Sequence, residues 1–102
     1  MSVGGEHDYV GIIMAKSEQG DGIADAMRQV EGVEVLEQPS FWEIRAKERL
    51  IIDFDTVSEE AGFDVDLSSV QYEMSTVYGR MVATDDALML FSDPAEAAAA
   101  QA

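Results

Sequence analysis

The sequence predicts an α+β domain with mainly antiparallel sheet and short helices. Three observations lead there. Short apolar runs alternate with period two, one stretch carries a helical apolar stripe, and turn residues stand close enough together to make hairpins. In chain order the elements read as two βαββ-like units.

Residues 1–7 are polar and glycine-rich and read as a flexible arm. Tyr9 to Lys16 is a β-rich apolar run, the first strand. A loop with Gly20 and Gly22 follows, and Asp21 is placed to cap the next helix. There Ile23, Ala26, Met27 and Val30 fall at i, i+3, i+4 and i+7, one apolar stripe. Gly32 stands where a helix C-terminal glycine belongs. Val33 to Glu37 is a short strand, and Gln38, Pro39 and Ser40 make a turn. Phe41 to Ala46 is a strand with Trp42, Ile44 and Ala46 on one face. Glu48 to Phe54 is another, with Leu50, Ile52 and Phe54 in step. Thr56 and Glu59 have capping-box spacing and open a short helix ending at Gly62. A second short helix starts at Asp66 and runs through Leu67 and Val70. Gln71 to Ala83 reads as extended chain broken by Gly79. Thr84, Asp85 and Asp86 turn the chain into the last strand, Ala87 to Ser92. Residues 8–93 therefore form one domain, as 102 residues suggest. Residues 94–102 are alanine-rich without an apolar face, so a disordered or frayed tail is expected.

Composition excludes several chemistries. The absence of cysteine removes disulfides, thiol catalysis, iron–sulfur clusters and zinc–thiolate sites. No apolar run approaches the ~20 residues that span a bilayer, and the first residues do not resemble a signal peptide. A cytoplasmic protein is expected. Twenty-one acidic against six basic residues give a formal charge of −15, which repels nucleic acid and anionic membranes and steers the chain towards basic protein surfaces.

A catalytic constellation is equally hard to assemble. His7 is the only histidine and lies in the arm, so the serines have no imidazole within the fold. Asp53, Asp55, Asp64 and Asp66 form two Asp-x-Asp pairs, without the glycine and terminal glutamate of a calcium loop. Glycines 20 and 22 are not followed by the Lys-Ser or Lys-Thr of a phosphate loop. The expectation is no catalytic residue, no metal and no organic cofactor. Arg45, Lys47 and Arg49 form a basic row that either meets an acidic partner or balances the acidic surface.

Three segments carry a family resemblance: FWEIRAKERLIIDF at 41–54, TVSEEAGFDVDLSSVQYEMS at 56–75, and STVYGRMVATDDALMLFSD at 75–93. Their order and spacing resemble the effector, or coupling, proteins of soluble bacterial di-iron monooxygenases, the regulatory proteins of methane, phenol, toluene and alkene oxidation. Within the second segment the resemblance rests on Thr56, Val57, Glu59, Gly62, Leu67 and Val70. Glu73 and Tyr78 depart from the phenol- and toluene-oxidising members and favour the alkene, isoprene or propane branches. The resemblance implies a non-catalytic, cofactor-free subunit. Such a subunit docks on a di-iron hydroxylase, tunes its oxygen activation, turnover and regioselectivity, and overlaps functionally with its reductase or ferredoxin.

Such a role needs a complementary surface, and Ser75 to Arg80 suits it. Ser75 and Thr76 offer hydroxyls, Val77 and Tyr78 apolar contact, Gly79 close backbone approach, and Arg80 a charged fork of donors. The competing reading is a stand-alone α+β domain that binds a small ligand or another protein. An enzyme using carboxylates alone is a third reading, which no spacing recommends.

Overall fold

The computed structural model describes residues 9–101. The expected arm at 1–7, with His7, lies outside them. Among the described residues seven strands and four helices follow in the order β1 (Tyr9–Ala15), α1 (Glu18–Met27), β2 (Val33–Glu37), β3 (Phe41–Lys47), β4 (Arg49–Asp53), α2 (Phe54–Ala61), α3 (Leu67–Glu73), β5 (Met74–Tyr78), β6 (Arg80–Ala83), β7 (Ala87–Phe91) and α4 (Pro94–Gln101). The class is α+β, and every strand pair is antiparallel.

The strands form two sheets that do not follow the two sequence halves. One has the order β2-β3-β1-β5, the other β4-β7-β6. Alternation sends Val10, Ile12, Met14, Trp42, Ile44 and Ala46 inward from the first sheet, and Leu50, Ile52, Leu88 and Leu90 from the second. These side chains meet Ile23, Ala24 and Met27 of α1, Phe54 and Val57 of α2, and Val70 of α3 in one core.

The chain passes between sheets three times, once through α2 and α3 and twice at corners of one residue each. Glu48 connects β3 to β4 at φ 69°, and Gly79 connects β5 to β6 at φ 119°. Both flank the end of β7, because Arg49 and Arg80 each pair with Phe91. The Ser92 N–H also donates to the Glu48 carbonyl at 2.9 Å.

Several boundaries differ from expectation. The cap of α1 is Ser17, whose Oγ accepts from Gly20 N–H, rather than Asp21. Gly20 and Gly22 lie inside that helix, where its close packing leaves no room for a side chain. A Cβ at Gly20 would stand 1.9 Å from the Ala15 carbonyl oxygen, and one at Gly22 2.7 Å from the Phe63 ring. Asp53, not Thr56, caps α2, so Phe54 opens a helix instead of ending a strand. Gly62 does end α2, in the left-handed conformation. Residues 71–73 continue α3 rather than beginning a strand.

The largest change concerns the tail. Residues 94–101 are helical, not frayed. Asp93 accepts from Ala95 N–H at 2.9 Å, and Pro94 occupies the first helical position, where its missing N–H costs nothing. Ala97 is buried against Val82 and Phe91 on the outer face of the second sheet. Glu96 also pairs with Arg49 at 3.2 Å.

Candidate functional site

The segment Ser75 to Arg80 begins where α3 ends. Asp66 and Ser69 form a reciprocal capping box that fixes the start of α3. Its far end is fixed by Glu73, the one buried charged side chain among the described residues. The Ser17 hydroxyl donates to Glu73 Oε1, so the cap of α1 also holds the α3–β5 junction.

Beyond that junction β5 runs along the open edge of the first sheet. Its register on β1 shifts, with Met14 opposite Met74 and Ile13 opposite Thr76, so Ser75 is the extra residue of a bulge. Ser75 and Thr76 are exposed, and Val77 turns inward against the core. After Gly79 the chain becomes β6, the open edge of the second sheet. The expected segment thus spans two sheet edges, each offering unpaired backbone groups to a partner. Arg80 is exposed and has no ion pair among the described residues.

Gly79 must be glycine. Its φ is 119°, and a Cβ would stand 2.7 Å from Val10 Cγ1.

Tyr78 is a strut more than a free contact. Its ring lies across Gly11, where a Cβ would come within 2.6 Å of the tyrosine oxygen. The Tyr78 hydroxyl reaches over β1 and donates to Glu43 Oε2 on β3 at 2.7 Å. Burial, and then this bond to a carboxylate, push the Tyr78 pKa well above its usual value. Beside it, Arg45 donates to Glu34 at 3.0 Å and stacks 4.5 Å from the Tyr9 ring centroid, while Tyr9 donates to Glu34 at 3.1 Å.

The basic row of Arg45, Lys47 and Arg49 is divided. Arg45 and Lys47 stand on β3 and Arg49 on β4 of the other sheet, and both arginines are paired, with Glu34 and Glu96. Trp42 belongs to the core. Its indole N–H donates to Asp21 at 2.8 Å, and Lys16 and Arg28 lie 5.1 and 4.9 Å from its ring centroid.

Sequence reasoning missed Tyr72. It is 86% exposed, far more than Ile51 at 42% or Met81 at 40%. Reading residue 71 onward as strand concealed it. The helix signal was available, since Asp66 as cap with Leu67 and Val70 inside places residue 72 off the buried stripe. Among the described residues no group of three or more His, Cys, Asp or Glu could hold a metal ion. The arrangement is suited to contact. It presents hydroxyls, a tyrosine ring, a guanidinium and open strand edges.

A model of the MmoB/DmpM family matches residues 8–91. The propane 2-monooxygenase effector component of Gordonia sp. (strain TY-5) is 38% identical over 88 residues, covering 86% of this chain and 79% of that protein. The effector component of the same name from Mycolicibacterium smegmatis is 38% identical, covering 86% and 77%. Among solved structures, a chain of the phenol hydroxylase–regulatory protein complex superposes with a TM-score of 0.72 at 26% identity, covering 81% of this chain and 97% of that one. The regulatory protein B of soluble methane monooxygenase superposes with a TM-score of 0.65 at 20% identity, covering 86% and 67%, and so shares the fold.

Proposed function

This chain belongs to the MmoB/DmpM family, and from that premise we propose that it docks on a di-iron hydroxylase and tunes its oxygen activation, turnover and regioselectivity. The chain is a non-catalytic effector, or regulatory, component of a monooxygenase. A hydroxylase as partner is supported by the phenol hydroxylase–regulatory protein complex, one chain of which has the same architecture. Hydrocarbon as substrate class is supported by the propane 2-monooxygenase effectors, in line with the branch that Glu73 and Tyr78 favour.

The observation that carries the reading is the run from Ser75 to Arg80 along two open sheet edges, with Ser75, Thr76, Gly79 and Arg80 exposed and Val77 and Tyr78 half-buried between them. A protein without a reactive group changes a partner's chemistry only by binding two partner states unequally. That discrimination demands a surface of fixed shape. Here the Ser75 bulge is held from one side by Glu73 and Ser17, and from the other by Tyr78 and Glu43. We assign partner contact to Ser75, Thr76, Gly79 and Arg80, with Val77 and Tyr78 holding the edge in shape. Overlap of this surface with that of the reductase or ferredoxin is part of the proposal, and predicts inhibition by excess effector.

Reconstitution with the cognate hydroxylase and electron donor is the deciding experiment. Product formed per NADH consumed should rise as this protein approaches equimolar amounts. Thr76→Ala and Arg80→Ala should lower that gain without altering the fold. Equal product and equal coupling with and without the protein would overturn the proposal.

A further inference from the structure

We infer that Tyr72 is the aromatic anchor of the docking surface, and that the partner receives it in an apolar cleft rimmed by cations. The inference rests on the effector reading above and extends the contact surface from β5 back onto α3.

An aromatic side chain 86% exposed leaves most of its apolar area in water. Its hydroxyl makes no hydrogen bond among the described residues, so nothing within them occupies the polar end either. The support beneath it is nonetheless firm. Val70 and Glu73 of the same short helix are buried, Asp66 and Ser69 cap its start, and Ser17 holds Glu73. A tyrosine on a fixed support has only two side-chain torsions to order, so its burial by a partner carries a small entropic cost. Position adds to this. Ser75 and Thr76, the exposed residues of the β5 bulge, follow three and four residues later.

Charge identifies the kind of surface that fits. Between Arg49 and Arg80 the chain holds Asp53, Asp55, Glu59, Glu60, Asp64, Asp66 and Glu73 and no Lys or Arg. Tyr72 thus stands within the most one-signed stretch of a molecule whose formal charge is −15. A partner bearing like charge around the cleft would be repelled, whereas lysines or arginines at its rim speed encounter and fix orientation. The other exposed apolar side chains lack this setting. Ile51 lies near Lys47 and Arg49, and Met81 beside α4.

The test measures binding of the cognate hydroxylase by calorimetry together with coupled turnover. It compares the unmodified protein with Tyr72→Ala and Tyr72→Phe, at about 50 mM and about 300 mM salt. Tyr72→Ala should raise Kd at least about tenfold and shift the turnover titration by the same factor, with unchanged circular dichroism. Tyr72→Phe should stay within about threefold, because the ring supplies the area. Higher salt should weaken binding of all three proteins. If Tyr72→Ala binds as tightly as the unmodified protein, the anchor is refuted and the effector reading stands. Equal losses for the alanine and phenylalanine variants would refute the apolar cleft, and salt-independent binding would refute the cationic rim. If the unmodified protein neither binds nor alters turnover, the effector reading itself fails.

Discussion

Replacing Gly79 with alanine should be the most damaging single-methyl change in the molecule's surface chain. Two costs combine there. The backbone angle φ is 119°, a conformation open to glycine and costly for other residues by about 1–3 kcal/mol. The added carbon would also stand 2.7 Å from Val10 Cγ1 and 2.9 Å from Val10 Cβ. Forcing a methyl into such a packed place costs about 1–3 kcal/mol. The sum, about 2–6 kcal/mol, is a large part of the roughly 5–15 kcal/mol by which domains are stable. Gly32→Ala supplies the comparison. It has φ 85° but nothing within 4 Å of the added carbon, so only the backbone cost of about 1–2 kcal/mol applies. Urea unfolding followed by fluorescence of Trp42, the only tryptophan, reads both variants, with an unchanged slope confirming comparable unfolded states. If Gly79→Ala costs no more than Gly32→Ala, the close approach to Val10 does not constrain this corner, and the reasoning fails.

Ser17→Ala should destabilise by about 2 kcal/mol or more, because it removes the cap of α1 and leaves buried Glu73 without its donor. Ser17→Thr should retain most of the stability in the same urea measurement. At acid pH a different pair matters. The hydrogen bond from Arg45 and then that from Tyr9 hold the Glu34 carboxyl below its usual 4.5, and Lys16 does the same for Glu37. Depressed carboxyls stabilise the fold above the unfolded value, so this contribution is present above about pH 4.5 and fades as pH falls through the lower folded values. Thermal melts of the Glu34→Gln/Glu37→Gln protein should show a shallower loss between neutral and acid pH, and an unchanged slope would contradict the assignment. Ending the chain at Ser92 should cost about 1–2 kcal/mol and raise binding of an apolar dye, since Val82 and Phe91 lose the cover of Ala97. No change in either would return the tail to the frayed state expected from its composition.

Much of the fold is legible in the sequence because alternation and burial agree. Trp42, Ile44 and Ala46 face inward as their spacing requires, and so do Leu50 and Ile52. The terminal hairpin also follows its turn residues at 84–86. What is not legible depends on contacts far along the chain. Gly20 and Gly22 read as loop, yet they lie in a helix, and they are glycine because a Cβ would meet the Ala15 carbonyl and the Phe63 ring. The exchange of β5 and β4 between the halves turns on two corners, one of them at Glu48, where no glycine announces a positive φ. The candidate segment was legible as small, polar and near a strand. Tyr78's bond to Glu43 was not, since 35 residues separate them and only the bare backbone of Gly11 lets the ring cross. Tyr72 was hidden by reading one helical turn as strand.

The two corners also bear on how the molecule comes apart. Besides the long connection through α2 and α3, each sheet is tied to the other through one residue at Glu48 and one at Gly79, with both of these ties meeting beside Phe91. At these two corners there is no slack to absorb a parting of the sheets. Native-state hydrogen exchange should therefore find the interior amides of β1, β3, β4 and β7 opening together, in one global event. A body that opens only as a whole keeps its shape until it is lost entirely, and so delivers the force of contact without spending it on internal give.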